Sequence, residues 1–148
     1  MRNRQQQGVT LLEMLVVVAI IGAIVGVSVP ALTAGLAGVR LSSAAGSVAS
    51  FLTSSMNRVE RREQAAAIVI TPSRNILQLF TAATGETAVT TLDMPSGVVI
   101  EGDEPRRFQL YPGGAFPRMS VVLRNEKGAR RSVTIDPITV VPSIRRVE

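Results

Sequence analysis

The sequence predicts an α+β chain in which one long amino-terminal helix precedes an antiparallel β head. Three observations carry that expectation. Between Leu11 and Val29 the residues are apolar, small or mildly polar, with Glu13 the only charge. Beyond Pro30, Leu41, Ala45, Val48, Leu52, Met56 and Val59 recur on a helical period and form one stripe. From Ala66 onward, short apolar stretches alternate with clusters of Gly, Pro, Asn and Asp.

The first of these elements has the dimensions of a membrane span. Leu11–Val29 is nineteen residues, and at about 1.5 Å per residue a helix of that length matches a hydrocarbon core of about 30 Å. Arg2 and Arg4 precede it, and the next cation is Arg40. The positive-inside rule then places the amino terminus in the cytoplasm and the head outside. A secretory signal peptide would have a shorter apolar region ending at a clear cleavage site; the run here is long, holds a carboxylate and leads only to Ala31-Leu32-Thr33. Glu13 is expensive in that setting, at about 2.5–3.5 kcal/mol on insertion scales. A cut between Gly8 and Val9 would create an α-amino cation four residues upstream.

Gly8-Val9-Thr10-Leu11-Leu12-Glu13-Met14-Leu15-Val16-Val17-Val18-Ala19-Ile20-Ile21-Gly22 closely resembles the type IV prepilin signature. The resemblance implies a leader, 1–8, that a prepilin peptidase removes on the cytoplasmic side between Gly8 and Val9, followed by N-methylation of Val9. Val9 departs from the Phe or Met commoner at that place. By the same resemblance Glu13 pairs with the terminal amine of a neighbouring subunit during assembly, and Pro30 stands at the helix-kinking proline. Proline lacks an N–H and clashes with the carbonyl four residues back, so a bend or local opening is expected there. Gly22 and Gly26 would let another helix approach closely.

The stem follows as the second half of the same helix, which is expected from about Thr10 to about Glu63. Arg58, Arg61 and Arg62 crowd its end, where cations suit the helix dipole. The organisation reads as leader 1–8, transmembrane and assembly helix 9–30, amphipathic stem 31–63 and periplasmic β head 64–148. In the head, strands are expected at 67–70, 76–80, 88–92, 98–100, 108–111, 120–123 and 132–135. The best hairpin joins Val121–Arg124 to Arg130–Ile135, with Gly128 free to adopt a left-handed turn position.

Composition excludes most chemistry. The chain of 148 residues is 46% hydrophobic yet only 3% aromatic, an imbalance that the apolar segment explains. It has no Cys and no His, which removes disulfides, thiolate metal sites, His-based triads and the commonest zinc sites. No catalytic residue, no cofactor and no metal are expected. Glu101, Asp103 and Glu104 match no calcium-loop spacing and read as a solvated turn. The charge is +5, with fifteen of the sixteen cationic side chains Arg, and it falls to +3 without Arg2 and Arg4.

Arg106-Arg107-Phe108, Pro112-Gly113-Gly114, the Val121–Leu123 strand and Val133-Thr134-Ile135-Asp136-Pro137-Ile138-Thr139 resemble the H-type minor pseudopilins of type II secretion and the related T- and U-type minor pilins. One departure is Val140, where the family often carries Gly. The resemblance implies a structural subunit of a periplasmic pseudopilus, anchored by one span in the inner membrane before assembly. Its partners would be the prepilin peptidase, other pseudopilins, the inner-membrane assembly platform and membrane lipid. The competing expectation is a minor type IV pilin whose head captures DNA, with Arg145 and Arg146 on phosphates. Few aromatics and a modest charge disfavour nucleic acid.

Overall fold

The computed structural model describes residues 10–147, with the side chains of residues 27–34 outside the description. A single helix, α1 (Leu11–Arg62), is followed by eight strands: β1 (Ala66–Thr71), β2 (Ile76–Thr81), β3 (Thr90–Asp93), β4 (Val98–Ile100), β5 (Arg106–Leu110), β6 (Met119–Asn125), β7 (Arg130–Ile135) and β8 (Pro142–Val147). The architecture is α+β and pilin-like. Helix α1 passes through Pro30 without a break, so the proline does not interrupt the backbone pattern; the Pro30 side chain lies outside the described residues. The helix stops where Glu63 turns left-handed at φ 49°, close to the expected end. The chain divides into two compact units, Met1–Leu36 and Ala37–Glu148.

In the first unit the apolar side chains from Leu11 to Val25 are exposed. Among the described residues no helix is long and apolar enough to cross a membrane. The span expected at Leu11–Val29 runs into the side chains outside the description, so the described part is shorter than the expected one.

The second unit is built on the stem. Leu41, Ala45, Val48, Leu52, Met56 and Val59 are all buried, as the periodicity predicts, and Ala44, Ala49 and Phe51 widen the stripe. Ser55 is the buried polar residue among them; its hydroxyl donates to the Phe51 carbonyl at 2.7 Å, which satisfies it within the helix. Two four-stranded antiparallel sheets complete the core, in the orders β3-β2-β1-β5 and β4-β6-β7-β8. Ile68, Ile70, Leu77, Leu79 and Leu110 come from the first sheet, and Val98, Ile100, Met119, Val121, Leu123, Val133 and Ile135 from the second. Alternation places the polar residues of β6 and β7 on the opposite face.

Seven strands fall near their expected places, with β3 shifted to Thr90–Asp93. The expected hairpin pairs Val121 with Val133 and Leu123 with Arg131, and Gly128 takes φ 81°. Strand β8 is the addition. Its core of Ser, Ile, Arg and Arg is mostly exposed, so it lacks the apolar alternation that marks a strand in sequence.

Two asparagines join the parts. Asn75, itself left-handed at φ 59°, donates from Nδ2 to the Val98 carbonyl at 2.7 Å and accepts from the Ile100 N–H at 2.8 Å. It thereby ties the start of β2 to β4 in the other sheet. Asn125 is buried at 4% exposure; its Oδ1 accepts from the Lys127 and Ala129 N–H groups, while Nδ2 donates to the Ala37 carbonyl of the stem at 3.3 Å. Arg106 adds a third link, donating to the Ser120 carbonyl at 3.0 Å.

Loss of a buried amide that satisfies its neighbours costs about 1–3 kcal/mol. Asn125→Ala should therefore lower the urea midpoint by a corresponding amount. Asn57→Ala on the exposed face of α1 should stay within about 0.5 kcal/mol of wild type.

Candidate functional site

The amino-terminal site begins at the first turn of α1. Thr10 stands before the helix, and its Oγ1 accepts from the Glu13 N–H at 3.2 Å while its carbonyl accepts from the Met14 N–H at 3.2 Å. That is the geometry of an N-cap, with Glu13 three residues in. The Thr-x-x-Glu spacing is the sequence signature of a capping box, a signal the motif reading passed over. A carboxylate in the first turn also meets the positive end of the helix dipole. The fold thus gives Glu13 local compensation in the helix, beside any partner from another chain. Around it, Leu11, Leu12, Met14 and Leu15 are exposed, Leu11 at 84%. One acid in the first turn of an otherwise apolar, outward-facing helix is a surface made for a nonaqueous environment or for other helices.

The family described as the prokaryotic N-terminal methylation motif matches residues 3–29. That segment is type IV pilin-like. The motif implies processing by a prepilin peptidase, membrane anchoring before assembly, and assembly with other pilins. Gly8 and Val9, the expected cleavage and methylation positions, fall within the match but outside the described residues. No curated protein and no solved structure matches the chain.

On the head of this pilin-like chain the arginines separate. Arg145 and Arg146 are consecutive in β8, and successive residues of a strand project to opposite faces. Arg146 lies opposite Arg131 on the side of Leu123 and Val133, whereas Arg145 lies opposite Ser132 on the outer side. Arg130 is also on the outer side, where Arg124 faces it across the β6–β7 pair. Between those two sits Glu101, its Oε1 at 3.2 Å from Arg124 Nε and 2.9 Å from Arg130 Nε. Glu101, expected in a solvated turn, therefore bridges two facing guanidinium groups, its one charge offsetting one of theirs. Arg118 and Asp136 form a looser, exposed pair at 3.4 Å.

Two further contacts shape the head's turns. The Glu60 carboxylate near the end of α1 accepts from the Gly113 N–H at 3.2 Å, holding the Pro112-Gly113-Gly114 turn. After β7, the Ile138 N–H donates to the Asp136 carboxylate at 2.9 Å and the Val140 N–H to the Asp136 carbonyl at 3.0 Å. This single helical turn ends with Val140 at φ 56°, the conformation that Gly tolerates best. Where the minor pseudopilins that the sequence resembles often carry Gly, this chain therefore sets a β-branched residue in a left-handed position, a strain of about 1–2 kcal/mol.

Thr10→Ala removes the cap and should cost the first turn about 1 kcal/mol, measured as faster amide exchange at Glu13, with Thr10→Ser close to wild type. Glu101→Gln leaves Arg124 and Arg130 facing each other. Exposed pairs contribute about 0–1 kcal/mol each, so a small loss of stability is expected, larger at low salt than at high.

Proposed function

We propose that this chain is a minor pseudopilin of the H type, a non-catalytic subunit of the periplasmic pseudopilus of a type II secretion system. The observation that carries the reading is the methylation motif on a helix whose exposed apolar side chains surround one capped acid. Such a helix is suited to leave a bilayer for the interior of a filament. The topology that follows has a cytoplasmic amino terminus, one inner-membrane span over 9–30 and a periplasmic head. Cleavage falls between Gly8 and Val9, methylation on Val9, and Glu13 recognises the terminal amine of a neighbour. The inner-membrane assembly platform and other pseudopilins are the partners. The absence of Cys supports a pseudopilin over those pilins that close a carboxy-terminal loop with a disulfide.

The alternative, DNA capture by a minor pilin through Arg145 and Arg146, is disfavoured by the opposite faces the two residues take in β8. A gel shift with residues 37–148, the second compact unit, separates the two readings. Weak binding that Arg145→Ala/Arg146→Ala changes only through bulk charge is expected. Tight, salt-sensitive binding abolished by the double variant would replace secretion with DNA capture.

Mass spectrometry of the membrane-extracted protein should show an amino terminus at Val9, and Gly8→Leu should accumulate precursor. An intact Met1 terminus in the wild type overturns the pilin processing scheme. Glu13→Leu should insert into membranes as well as wild type or better, yet fail to co-purify with other pseudopilins and fail to support secretion. Its role is register and specificity more than net stability, and normal assembly by this variant would refute that role.

A further inference from the structure

The second sheet contains two places where arginines face each other directly across paired strands, and they are treated differently. Arg124 and Arg130 are opposite partners between β6 and β7, and Glu101 lies between them with contacts of 3.2 and 2.9 Å. Arg131 and Arg146 are opposite partners between β7 and β8. Among the described residues, neither forms an ion pair or a side-chain hydrogen bond. Like charges directly opposite in an antiparallel pair are destabilising, and nothing within the described head offsets this one.

The surroundings make the second place concave. Arg131 and Arg146 line a cavity of about 200 Å³ together with Gly38 and Leu41 of α1, Ala129 and Arg130. Arg130 Nε is held by Glu101, which leaves Arg131 and Arg146 as the cavity's uncommitted cations. Gly38 forms part of the wall, and a Cβ added there would meet no atom within 4 Å. The chain's own packing therefore does not require that glycine, which carries a helix-propensity penalty; it adds no side chain to the cavity wall.

We infer that Arg131 and Arg146 form an oxyanion site that takes a phosphate group, which plays between them the part that Glu101 plays between Arg124 and Arg130. Guanidinium groups present planar forks of N–H donors that match phosphate oxygens bidentately, and two forks from neighbouring strands embrace one tetrahedral group. The phosphate can be free in solution or part of a phospholipid headgroup of the membrane that anchors the chain. The inference rests on the head alone and survives if the secretion reading fails.

The test uses the full chain in a neutral detergent, titrated with inorganic phosphate and followed by thermal unfolding and calorimetry. A parallel arm incorporates it into vesicles of phosphatidylcholine with or without phosphatidylglycerol. Saturable binding of phosphate, or selective retention of phosphatidylglycerol, is expected, and whichever arm responds identifies the source. Arg131→Gln and Arg146→Gln should each weaken it about tenfold or more, the loss of a charge-assisted hydrogen bond. Gly38→Val should weaken it as well, by adding bulk to the cavity wall without changing charge. Arg145→Gln removes the same charge from the other face and should leave binding intact. Without phosphate, Arg131→Gln should unfold at the same temperature as wild type or higher, since it removes a repulsion. No saturable binding in either arm overturns the inference. So does equal weakening by Arg145→Gln, because that outcome reports bulk charge only.

Discussion

The burial of the stem stripe is the contact on which everything else in the head depends. Each sheet has one apolar face, and a sheet of four short strands must cover that face to persist in water. Leu41, Ala45, Val48, Leu52, Met56 and Val59 supply a surface that inner residues of both sheets share in one core. Without that stripe, Ile68 and Leu79 on one side and Val121 and Val133 on the other would lose much of their cover. The same helix continues upstream with its apolar residues turned outward. One regular element thus buries its apolar residues in the head and exposes them upstream, with side-chain chemistry alone marking the change.

Periodicity made the stem and most strands legible. The stripe residues recur at spacings of three, four and seven, and the hairpin between β6 and β7 announces itself by alternating residues and Gly128. The pilin-like beginning was legible for a different reason: small, acidic and apolar residues stand in a fixed order over a few turns, and the methylation motif matches there. Strand β8 was not legible because edge strands are guarded by charge. Arg145 and Arg146 discourage further pairing, and in doing so they erase the pattern that would have revealed the strand.

Side-chain partnerships across the fold were legible least. Nothing near Glu101 in sequence points to Arg124 or Arg130, since the register of three strands brings them together. Asn75 and Asn125 look like ordinary turn residues, and locally they are; their second role, reaching Val98, Ile100 and Ala37, exists only after the sheets have formed. Val140 is an intermediate case. Its replacement of a customary Gly was visible, but the left-handed backbone that makes the replacement strained was not.

The bond between Asn125 and the Ala37 carbonyl spans 88 positions of sequence, whereas the turns at 72–75 and 125–129 close over a handful. Closing so long a loop carries the larger entropic penalty, so this contact is among the costlier of the head to form. It lies at the first residue of the second compact unit, where α1 enters the head. The outermost hydrogen bond between the stem and the β6–β7 hairpin is thus made by one amide, ahead of the buried stripe that begins at Leu41. Were the stem drawn toward its amino-terminal end, that bond would be the first polar link to strain, with the Leu41–Val59 packing holding behind it.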